Sequence, residues 1–303
     1  MRHLFIINPV AGKNMNVEAV TKEIEQVMAG RGEDFTVLTT KGPGDAETIT
    51  ATWAQESQDE LRIYALGGDG TLNEVVNGAA GHMHVAIACC PMGSGNDFVK
   101  SFGKDSWRFR DLKALVESKD YTLDLIDCNG RQSINICSVG LDARVGTEQA
   151  EYKKIPLVSG KMAYILSLLV NVVKGIHRPF ELEIDGNKMA GNYTIITACN
   201  GQWYGGGFNA APDAVLDDGL LDFIVVGAVS RLTVAGLVGE YGKGRAKYHP
   251  DLIHCFRGKE IKIKCDQESV INVDGECMRS TDITFAVSEK KIRFIVPAGA
   301  EWK

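Results

Sequence analysis

Short apolar runs alternate with longer amphipathic segments up to about residue 120. The apolar runs predict strands at 4–8, 35–39, 61–66 and 85–89. Apolar residues at helical spacing predict helices at 16–31, 45–58, 71–78 and 107–118. Short apolar strands separated by helices are typical of a parallel sheet that is covered on both faces. We therefore expect an α/β N-terminal domain whose strand-to-helix turns meet at one edge of the sheet.

Beyond that point the pattern changes to strands with few helices. It predicts strands at 121–128, 133–138, 181–184, 189–199, 221–226, 260–265, 269–273, 281–286 and 291–296, and an interrupted helix at 141–176. Asp-Gly pairs at 185–186 and 274–275 are typical of hairpin turns. We expect a mainly antiparallel, β-sandwich-like second domain. The domains are placed at 1–124 and 125–289, with the C-terminal segment 290–303 returning to the first.

Composition narrows the class of protein. The 303 residues carry 33 basic and 39 acidic side chains, so the net charge is −6, and 45% of the residues are apolar. This composition is typical of a globular protein, whereas a nucleic-acid binder usually presents a basic surface. The eight cysteines are scattered without a C-x-x-C pair. That distribution argues against structural zinc and is typical of the reducing cytosol.

Two apolar segments bear on membranes. The N-terminal run 1–8 is too short for a secretory signal, and the run 162–173, between Lys161 and Lys174, is too short to span a bilayer. We expect a buried helix at 162–173, or one that also touches a membrane surface. These observations predict a cytoplasmic protein without a transmembrane segment.

Four turns in the first domain are rich in glycine and polar residues. They follow successive predicted strands, at 8–13 (NPVAGK), 40–45 (TKGPGD), 67–73 (GGDGTLN) and 91–97 (PMGSGND). Glycines let backbone N–H groups approach an anion closely, and a helix that begins there directs its positive end at the same point. Thr71 can add a hydroxyl and an N-cap. The carboxylate of Asp69 would repel a bare phosphate but tolerate a phosphate with Mg²⁺.

Two common phosphate motifs do not fit these turns. The turn at 8–13 lacks the upstream glycine of a P-loop, and Asn14 follows its lysine. The turn at 67–73 has Asn73 where a dinucleotide fingerprint needs its third glycine. A different class of nucleotide site is therefore expected.

Three segments in this order, NPVAGK, GGDGTLNEVVNG and PMGSGNDF, resemble the diacylglycerol kinase catalytic-domain superfamily, and within it the soluble bacterial lipid kinases. The resemblance continues at 135–143, 211–222 and 273–276. It implies a nucleotide-binding domain at 1–124 and a lipid-substrate domain at 125–289, with the active site in the cleft between them. It also implies ATP and Mg²⁺ as cofactors.

The resemblance assigns roles residue by residue. Nucleotide contacts are assigned to Asn8, Lys13, Thr40, Gly67, Gly68, Asp69, Gly70, Thr71, Leu72, Asn73 and Ser94. The catalytic positions are Asp69, which organises Mg²⁺ and the phosphates, Asp97 and Asp124 around the same network, and Glu276 as general base. A second, structural metal site would use the backbone carbonyls of Val215 and Leu220 and the side chain of Asp218.

These roles predict an ATP-dependent kinase that transfers the γ-phosphoryl group to a lipid hydroxyl. Diacylglycerol giving phosphatidic acid, a step of phospholipid biosynthesis, is the leading reaction. Monoacylglycerol, phosphatidylglycerol and sphingoid bases stay open as acceptors. The alternatives are an NAD kinase-like phosphotransferase and a nucleotide-responsive regulator without turnover.

A lipid substrate requires access to the inner membrane surface. With no transmembrane segment, we expect peripheral association through a basic face that could comprise Lys153, Lys154, Lys161 and Lys174. Three glycines at 205–207, after Trp203 and Tyr204, suggest an entrance for a lipid. We expect no nucleic-acid partner and consider a homodimer.

Overall fold

A computed structural model of the protein describes residues 1–12, 15–145, 167, 170–171 and 175–301. Residue contacts divide the chain into two compact units. The first unit comprises Met1–Leu125, Val215–Asp218 and Ser288–Lys303, and the second comprises Ile126–Ala214 and Gly219–Val287. Most of the helix expected at 141–176, the four lysines of the expected basic face and Lys13 lie outside the described residues.

The first unit contains a six-stranded sheet. Its strands are β1 (Arg2–Ile7), β2 (Asp34–Thr39), β3 (Leu61–Gly67), β4 (Val85–Pro91), β5 (Lys119–Leu123) and β17 (Ile292–Val296). Their spatial order is β2-β1-β3-β4-β17-β5. β5 runs antiparallel to β17, whereas the other neighbours pair in parallel. The last strand of the chain therefore lies inside the sheet of its first unit.

Helices cover this sheet because its strands are apolar on both faces: every residue of β4 is buried. The helices are α1 (Val17–Met28), α2 (Asp45–Glu56), α3 (Asp69–Ala79) and α4 (Leu112–Glu117). The helix expected at 107–118 is instead a 3-10 segment, Phe98–Arg110, which is interrupted at Gly103 with a φ of 57°, followed by α4. The break before α4 occurs because the carboxylate of Asp111 caps α4 through the N–H of Ala114.

The second unit contains a nine-stranded, antiparallel sheet. Its strands are β6 (Ile126–Cys128), β7 (Arg131–Ser133), β8 (Ile136–Gly140), β9 (Arg178–Ile184), β10 (Asn187–Cys199), β13 (Leu221–Gly227), β14 (Ile253–Gly258), β15 (Glu260–Val273) and β16 (Glu276–Val287). A small ribbon pairs β11 (Trp203–Tyr204) with β12 (Phe208–Asn209). Both β8 and β9 pair with β10 on one side and β15 on the other.

The described residues 141–145 of this unit are helical, at the start of the helix expected at 141–176. Helix α5 (Arg231–Gly242) follows β13, and a 3-10 turn, Ala246–Tyr248, precedes β14. One apolar cluster lies within the sheet around Phe223 and Phe285. A second cluster packs α5 against the sheet through Val234, Leu237 and Tyr241. Within the described ranges we find no helix that combines the length and apolar character needed to cross a bilayer.

The predicted fold class, a parallel α/β domain followed by a mainly antiparallel β domain, is confirmed. Several element boundaries were wrong. The strand expected at 121–128 is two strands, β5 and β6, in different sheets. The strands expected at 260–265 and 269–273 are one strand, β15, with a register shift between Lys264 and Ser269.

Candidate active site

The carboxyl ends of β1 to β4 lie side by side at one edge of the first unit's sheet. Ile7 pairs with both Thr39 and Leu66, and Gly67 pairs with Pro91. Neighbouring strands in a sheet are about 4.8 Å apart. The four glycine-rich turns therefore begin next to one another.

Asn8, Gly67 and Thr71 form one close-packed group at this edge. The side-chain amide of Asn8 donates to the hydroxyl oxygen of Thr71 over 2.9 Å. A Cβ at Gly67 would lie 2.3 Å from the same oxygen, so this position accepts only glycine. The expected N-cap role of Thr71 was wrong: Gly68 is the N-cap, and Thr71 is buried within the first turn of α3. The N-cap of helix α3 is thus a residue without a side chain that could occupy the N-terminus of the helix.

The turn after β4 packs directly on the turn after β3. The N–H of Met92 donates to the carbonyl of Gly67 over 2.7 Å. A Cβ at Gly93 would lie 2.6 Å from the Cα of Gly68, which shows how closely the two backbones approach. Asn96, with a φ of 49°, closes the turn by bonding to both the N–H and the carbonyl of Gly93.

Two carboxylates converge beside Gly95. The Oδ1 atom of Asp69 accepts a hydrogen bond from the N–H of Asp97 over 2.7 Å, and Asp97 forms an ion pair with Lys100. A Cβ at Gly95 would lie 2.7 Å from Oδ2 of Asp69 and 3.7 Å from Oδ2 of Asp97. Carboxylate oxygens in this arrangement suit Mg²⁺, which is usually held by one or two carboxylates together with waters and substrate phosphates.

A fuller protein cage for a metal is not found in the described ranges, where no three His, Cys, Asp or Glu side chains converge. The pair of carboxylates therefore fits an ion whose remaining ligands come from phosphate and water. Burial, with a smaller effect from the charge of Asp69, raises the pKa of the Cys89 thiol well above its usual range. Cys89 stays protonated near neutral pH and contributes packing beneath the turns.

The other predicted nucleotide contacts differ in exposure. Thr40 is buried, and its N–H donates to the carbonyl of Ile7 over 2.9 Å. Ser94 is exposed in the turn after β4. Leu72 and Asn73 are buried in α3, and Gly70 lies in its first turn. Thr40, Ser94 and Gly70 therefore belong to the same strand edge, whereas Leu72 and Asn73 contribute to the packing of α3.

The turn before α2 differs from the others because a protein carboxylate occupies the start of the helix. Glu74, on α3, accepts hydrogen bonds from the N–H of Gly44 over 2.9 Å and from the N–H of Ala46 over 3.0 Å. A bound anion would have to displace Glu74 from these donors. We did not single out Glu74 from the sequence, although a Glu on the helix after GGDGT is the visible signal.

Asp124 lies at the opposite edge of the sheet from Asp69. Its neighbour Leu123 pairs with Ile292, the first residue of β17, which runs parallel to β4. A strand as long as β4 spans about 20 Å. The carboxylate of Asp124 is buried and pairs there with Lys291. The structure therefore does not bring Asp124 to the carboxylate pair.

The three residues of the expected structural metal site lie on one turn. Val215 and Asp218 belong to the first unit, and Leu220 belongs to the second. Gly219, with a φ of 73°, turns the chain directly after the exposed Asp218. Metal binding by this turn stays a prediction.

Glu276 follows a tight hairpin turn in the second unit and is exposed. Asp274 and Gly275 have φ values of 51° and 99°, as a type I′ turn requires. The carboxylate of Asp274 accepts hydrogen bonds from the hydroxyl of Ser133 and from the N–H groups of Ile134, Asn135 and Ile136, at distances between 2.6 and 3.2 Å. These bonds fix the conformation of the turn and therefore the direction in which the side chain of Glu276 extends from the backbone.

Family models match two consecutive parts of the chain. A model described as the diacylglycerol kinase catalytic domain matches residues 2–134. A second, described as the YegS C-terminal NAD kinase beta sandwich-like domain, matches residues 135–296. The chain belongs to the diacylglycerol kinase family of lipid kinases.

Relatives of this lipid kinase extend over nearly its whole length. A diacylglycerol kinase of Staphylococcus carnosus (strain TM300) is 28% identical over 91% of this chain and 88% of its own. A protein of Shewanella frigidimarina (strain NCIMB 400), named "Probable lipid kinase YegS-like", is 27% identical over 86% of this chain and 88% of its own. The crystal structure of a diacylglycerol kinase from Bacillus anthracis has a TM-score of 0.73 at 21% identity, covering 99% and 98% of the two chains.

Sequence reasoning missed Asn96 and Asp274 as residues that shape the site of this lipid kinase. Asn96 lies within the segment PMGSGNDF, but its left-handed backbone is visible only in the structure. Asp274 belongs to an Asp-Gly pair that predicts a hairpin. The partners that its carboxylate binds at residues 133–136 are distant in sequence and gave no signal.

Proposed function

We propose that this protein transfers the γ-phosphoryl group of ATP to a lipid hydroxyl, and that diacylglycerol, giving phosphatidic acid, is the acceptor to test first. The observation that carries the proposal is the pair of carboxylates, Asp69 and Asp97, beside Gly95 at the glycine-rich edge. Membership of a lipid kinase family supports a lipid acceptor. Relatives named diacylglycerol kinase support the choice of diacylglycerol.

The edge of the first unit would hold the nucleotide phosphates. Glycines at 67, 68, 93 and 95 let the backbone approach the phosphate oxygens, and α3 begins there with its positive end. Asp69 and Asp97 would hold Mg²⁺ through their Oδ2 atoms. When bound, the ion neutralises charge on the transferred phosphoryl group.

Glu276 would act as the general base. The lipid oxygen forms a bond to the γ-phosphorus, the bond from that phosphorus to the ADP oxygen breaks, and the carboxylate of Glu276 accepts the hydroxyl proton. Because an alcohol is a very weak acid, the proton leaves late in the transfer. The bonds to Asp274 keep the hairpin that carries Glu276 in a single conformation.

Peripheral association with the membrane surface follows from a lipid acceptor and is part of this proposal. An NAD kinase-like activity has one supporting observation, the beta sandwich-like domain named after NAD kinase that matches residues 135–296. The glycerolipid reaction is favoured because the relatives that cover most of the chain are named lipid kinases.

The test is a phosphorylation assay on purified protein. The protein is incubated with Mg-ATP and dispersed diacylglycerol, monoacylglycerol, phosphatidylglycerol or sphingosine, with NAD as a soluble acceptor, and the products are identified by mass. Phosphatidic acid is expected from the wild type, with no product above background from Asp69→Ala. Asp59→Asn, an exposed site in the same unit, is the matched control. Phosphorylation of NAD alone, or of no acceptor, would overturn the proposal.

A further inference from the structure

The 3-10 segment Phe98–Arg110 presents a line of exposed side chains after its interruption at Gly103. A 3-10 helix has three residues per turn, so side chains three residues apart stand in line along its surface. Lys104, Trp107 and Arg110 have this spacing, and all three are exposed. We refer to these three residues as the exposed row. It combines one large aromatic ring with a positive charge on either side.

Trp107 is the aromatic member of the exposed row. Its side chain is 62% exposed, and the guanidinium of Arg108 lies 5.0 Å from the centre of its ring. Arg108 is itself held by an ion pair with Asp105. Trp has a large apolar ring with a polar N–H, and it is enriched where a membrane meets water. The row therefore has the composition of a surface that contacts lipid headgroups.

The exposed row lies at the glycine-rich edge of the first unit's sheet. Nη1 of Arg108 donates to the carbonyl of Ala298 over 3.3 Å. β17 runs parallel to β4, and continuing their register places Ala298 level with Pro91, the last residue of β4. Neighbouring strands are about 4.8 Å apart. Trp107, next to Arg108 in the chain, therefore belongs to the same edge as the turn that carries Asp97.

Charge distinguishes this edge from the opposite edge of the same sheet. Lys104 and Arg110 form no ion pair with the described residues, and both are exposed although the protein has a net charge of −6. The opposite edge, where the parallel strands begin, also exposes an apolar side chain, Met83, but it carries exposed carboxylates at Asp34 and Asp59. An anionic membrane attracts the first set of charges and repels the second.

We propose that the exposed row is the surface through which this protein docks on an anionic lipid bilayer, with the indole of Trp107 among the headgroups. This proposal rests on the proposed function, since a lipid acceptor is what requires such a surface. Lys104 and Arg110 attract the lipid phosphates, and each charge strengthens binding by about fivefold. Docking here places the glycine-rich edge of the first unit, and with it the nucleotide phosphates, at the membrane surface.

The first test is cosedimentation with vesicles of phosphatidylcholine, alone or mixed with an equal amount of phosphatidylserine. Wild-type protein should bind the mixed vesicles in preference to the neutral ones, and added salt should weaken the binding. Trp107→Ala and the double variant Lys104→Gln/Arg110→Gln should each bind about tenfold or more weakly. Met83→Ala and Lys290→Gln, at exposed positions of the opposite edge, are the matched controls and should bind as the wild type.

A second measurement identifies the contact itself. Vesicles that contain brominated lipid should quench the fluorescence of the wild type more than that of Trp107→Phe, because Trp107 then lies within reach of the bromine atoms. Turnover of dioleoylglycerol in anionic vesicles should fall with vesicle binding in Trp107→Ala. Turnover of the short-chain acceptor dioctanoylglycerol, supplied without vesicles, should stay as in the wild type, which also shows that the variant is folded.

The docking proposal is overturned if the wild type does not prefer the anionic vesicles, or if substitution of the exposed row leaves vesicle binding unchanged. Equal quenching of the wild type and Trp107→Phe would exclude the indole from the contact and overturn it as well. If no acceptor is phosphorylated, the proposed function fails. Vesicle binding and quenching need no turnover, so they still decide whether the exposed row is a membrane-docking surface.

Discussion

The two units of this lipid kinase differ in whether backbone or side chains form most of the candidate site. In the first unit the site is largely backbone: glycines at strand ends bring two turns together, and one pair of carboxylates stands beside them. In the second unit side chains predominate. Asp274 holds the hairpin that carries Glu276, and Asp142 lies in the wall of an apolar cavity. The two kinds of surface match the ligands that we propose, a polyphosphate for the first unit and a lipid for the second.

This difference determines what a mutation can do. Where glycine backbone forms the site, the damaging substitution is one that adds a side-chain atom, because the close approach of the turns leaves no space for it. At a side-chain site the damaging change is a removed charge or hydrogen bond. Each substitution below tests one side of the contrast, and the expected effect on turnover decreases from the first to the last.

Of these substitutions, Glu276→Gln should produce the largest loss of turnover. Removing a general base typically lowers the chemical step by about 10²–10⁴-fold. Single-turnover rates should fall by that amount while the ATP dissociation constant, measured by calorimetry, stays as in the wild type. Glu268→Gln, at an exposed position of β15, should behave as the wild type. A collapse of ATP affinity with an unchanged single-turnover rate would show that Glu276 is not the base.

Adding a methyl group at Gly95 tests the backbone site. In Gly95→Ala the new Cβ would lie 2.7 Å from Oδ2 of Asp69 and would displace the carboxylate. Misplacement by about 1 Å can cost about 100-fold, so we expect a loss of that order in kcat/KM for Mg-ATP. Gly42→Ala is the matched control, because a Cβ there meets no atom within 4 Å. Equal activity of the two variants would contradict the proposed role of the carboxylate pair.

Asp274→Asn tests whether Asp274 positions Glu276 for turnover or only stabilises the fold. Asp185 provides the comparison, since it opens another Asp-Gly hairpin with a φ of 44° and accepts hydrogen bonds from the N–H groups of Lys259 and Glu260. Each Asn variant should lose about 1–3 kcal/mol of stability, because bonds to a charged acceptor are weakened. Turnover should fall by about tenfold or more only in Asp274→Asn. The role of Asp274 as a positioning residue fails if both variants lose activity equally at matched stability.

Asp142→Asn should stabilise the protein at high pH. The folded-state pKa of about 6 lies above the ordinary 3.8, so burying the ionised carboxylate opposes folding once the pH exceeds both values. The difference corresponds to about 3 kcal/mol at pH 8 and about half of that at pH 5, as an order of magnitude. Urea unfolding of wild type and variant across this range measures the difference. A stability gain that does not shrink as the pH falls would contradict the buried, titrating carboxyl.

The sequence correctly predicted those elements of the fold that depend on the local periodicity of apolar residues. The strands of the first unit are runs of residues that become buried, and GGDGTLN lies at a strand-to-helix junction as expected. Helix α5 was missed because its apolar residues occur on all sides, so no apolar face repeats at helical spacing. The glycines at 236, 239 and 242 weaken the helical signal further. The position of Asp124 could not be predicted, because the edge of the sheet at which it lies depends on the pairing of β5 with a distant strand that begins at Ile292.

The position of β17 has a consequence for synthesis of the chain. β17 separates β4 from β5, and its Phe294 packs against Phe98, Phe102 and Phe109. The residues of the second unit lie between these partners and Phe294 in sequence, so the first unit cannot close its aromatic core until the second unit has been synthesised. Until then the edge of β4 that pairs with β17 is unpaired in the nascent chain, so the sheet of the first unit is completed only after the second unit has been made.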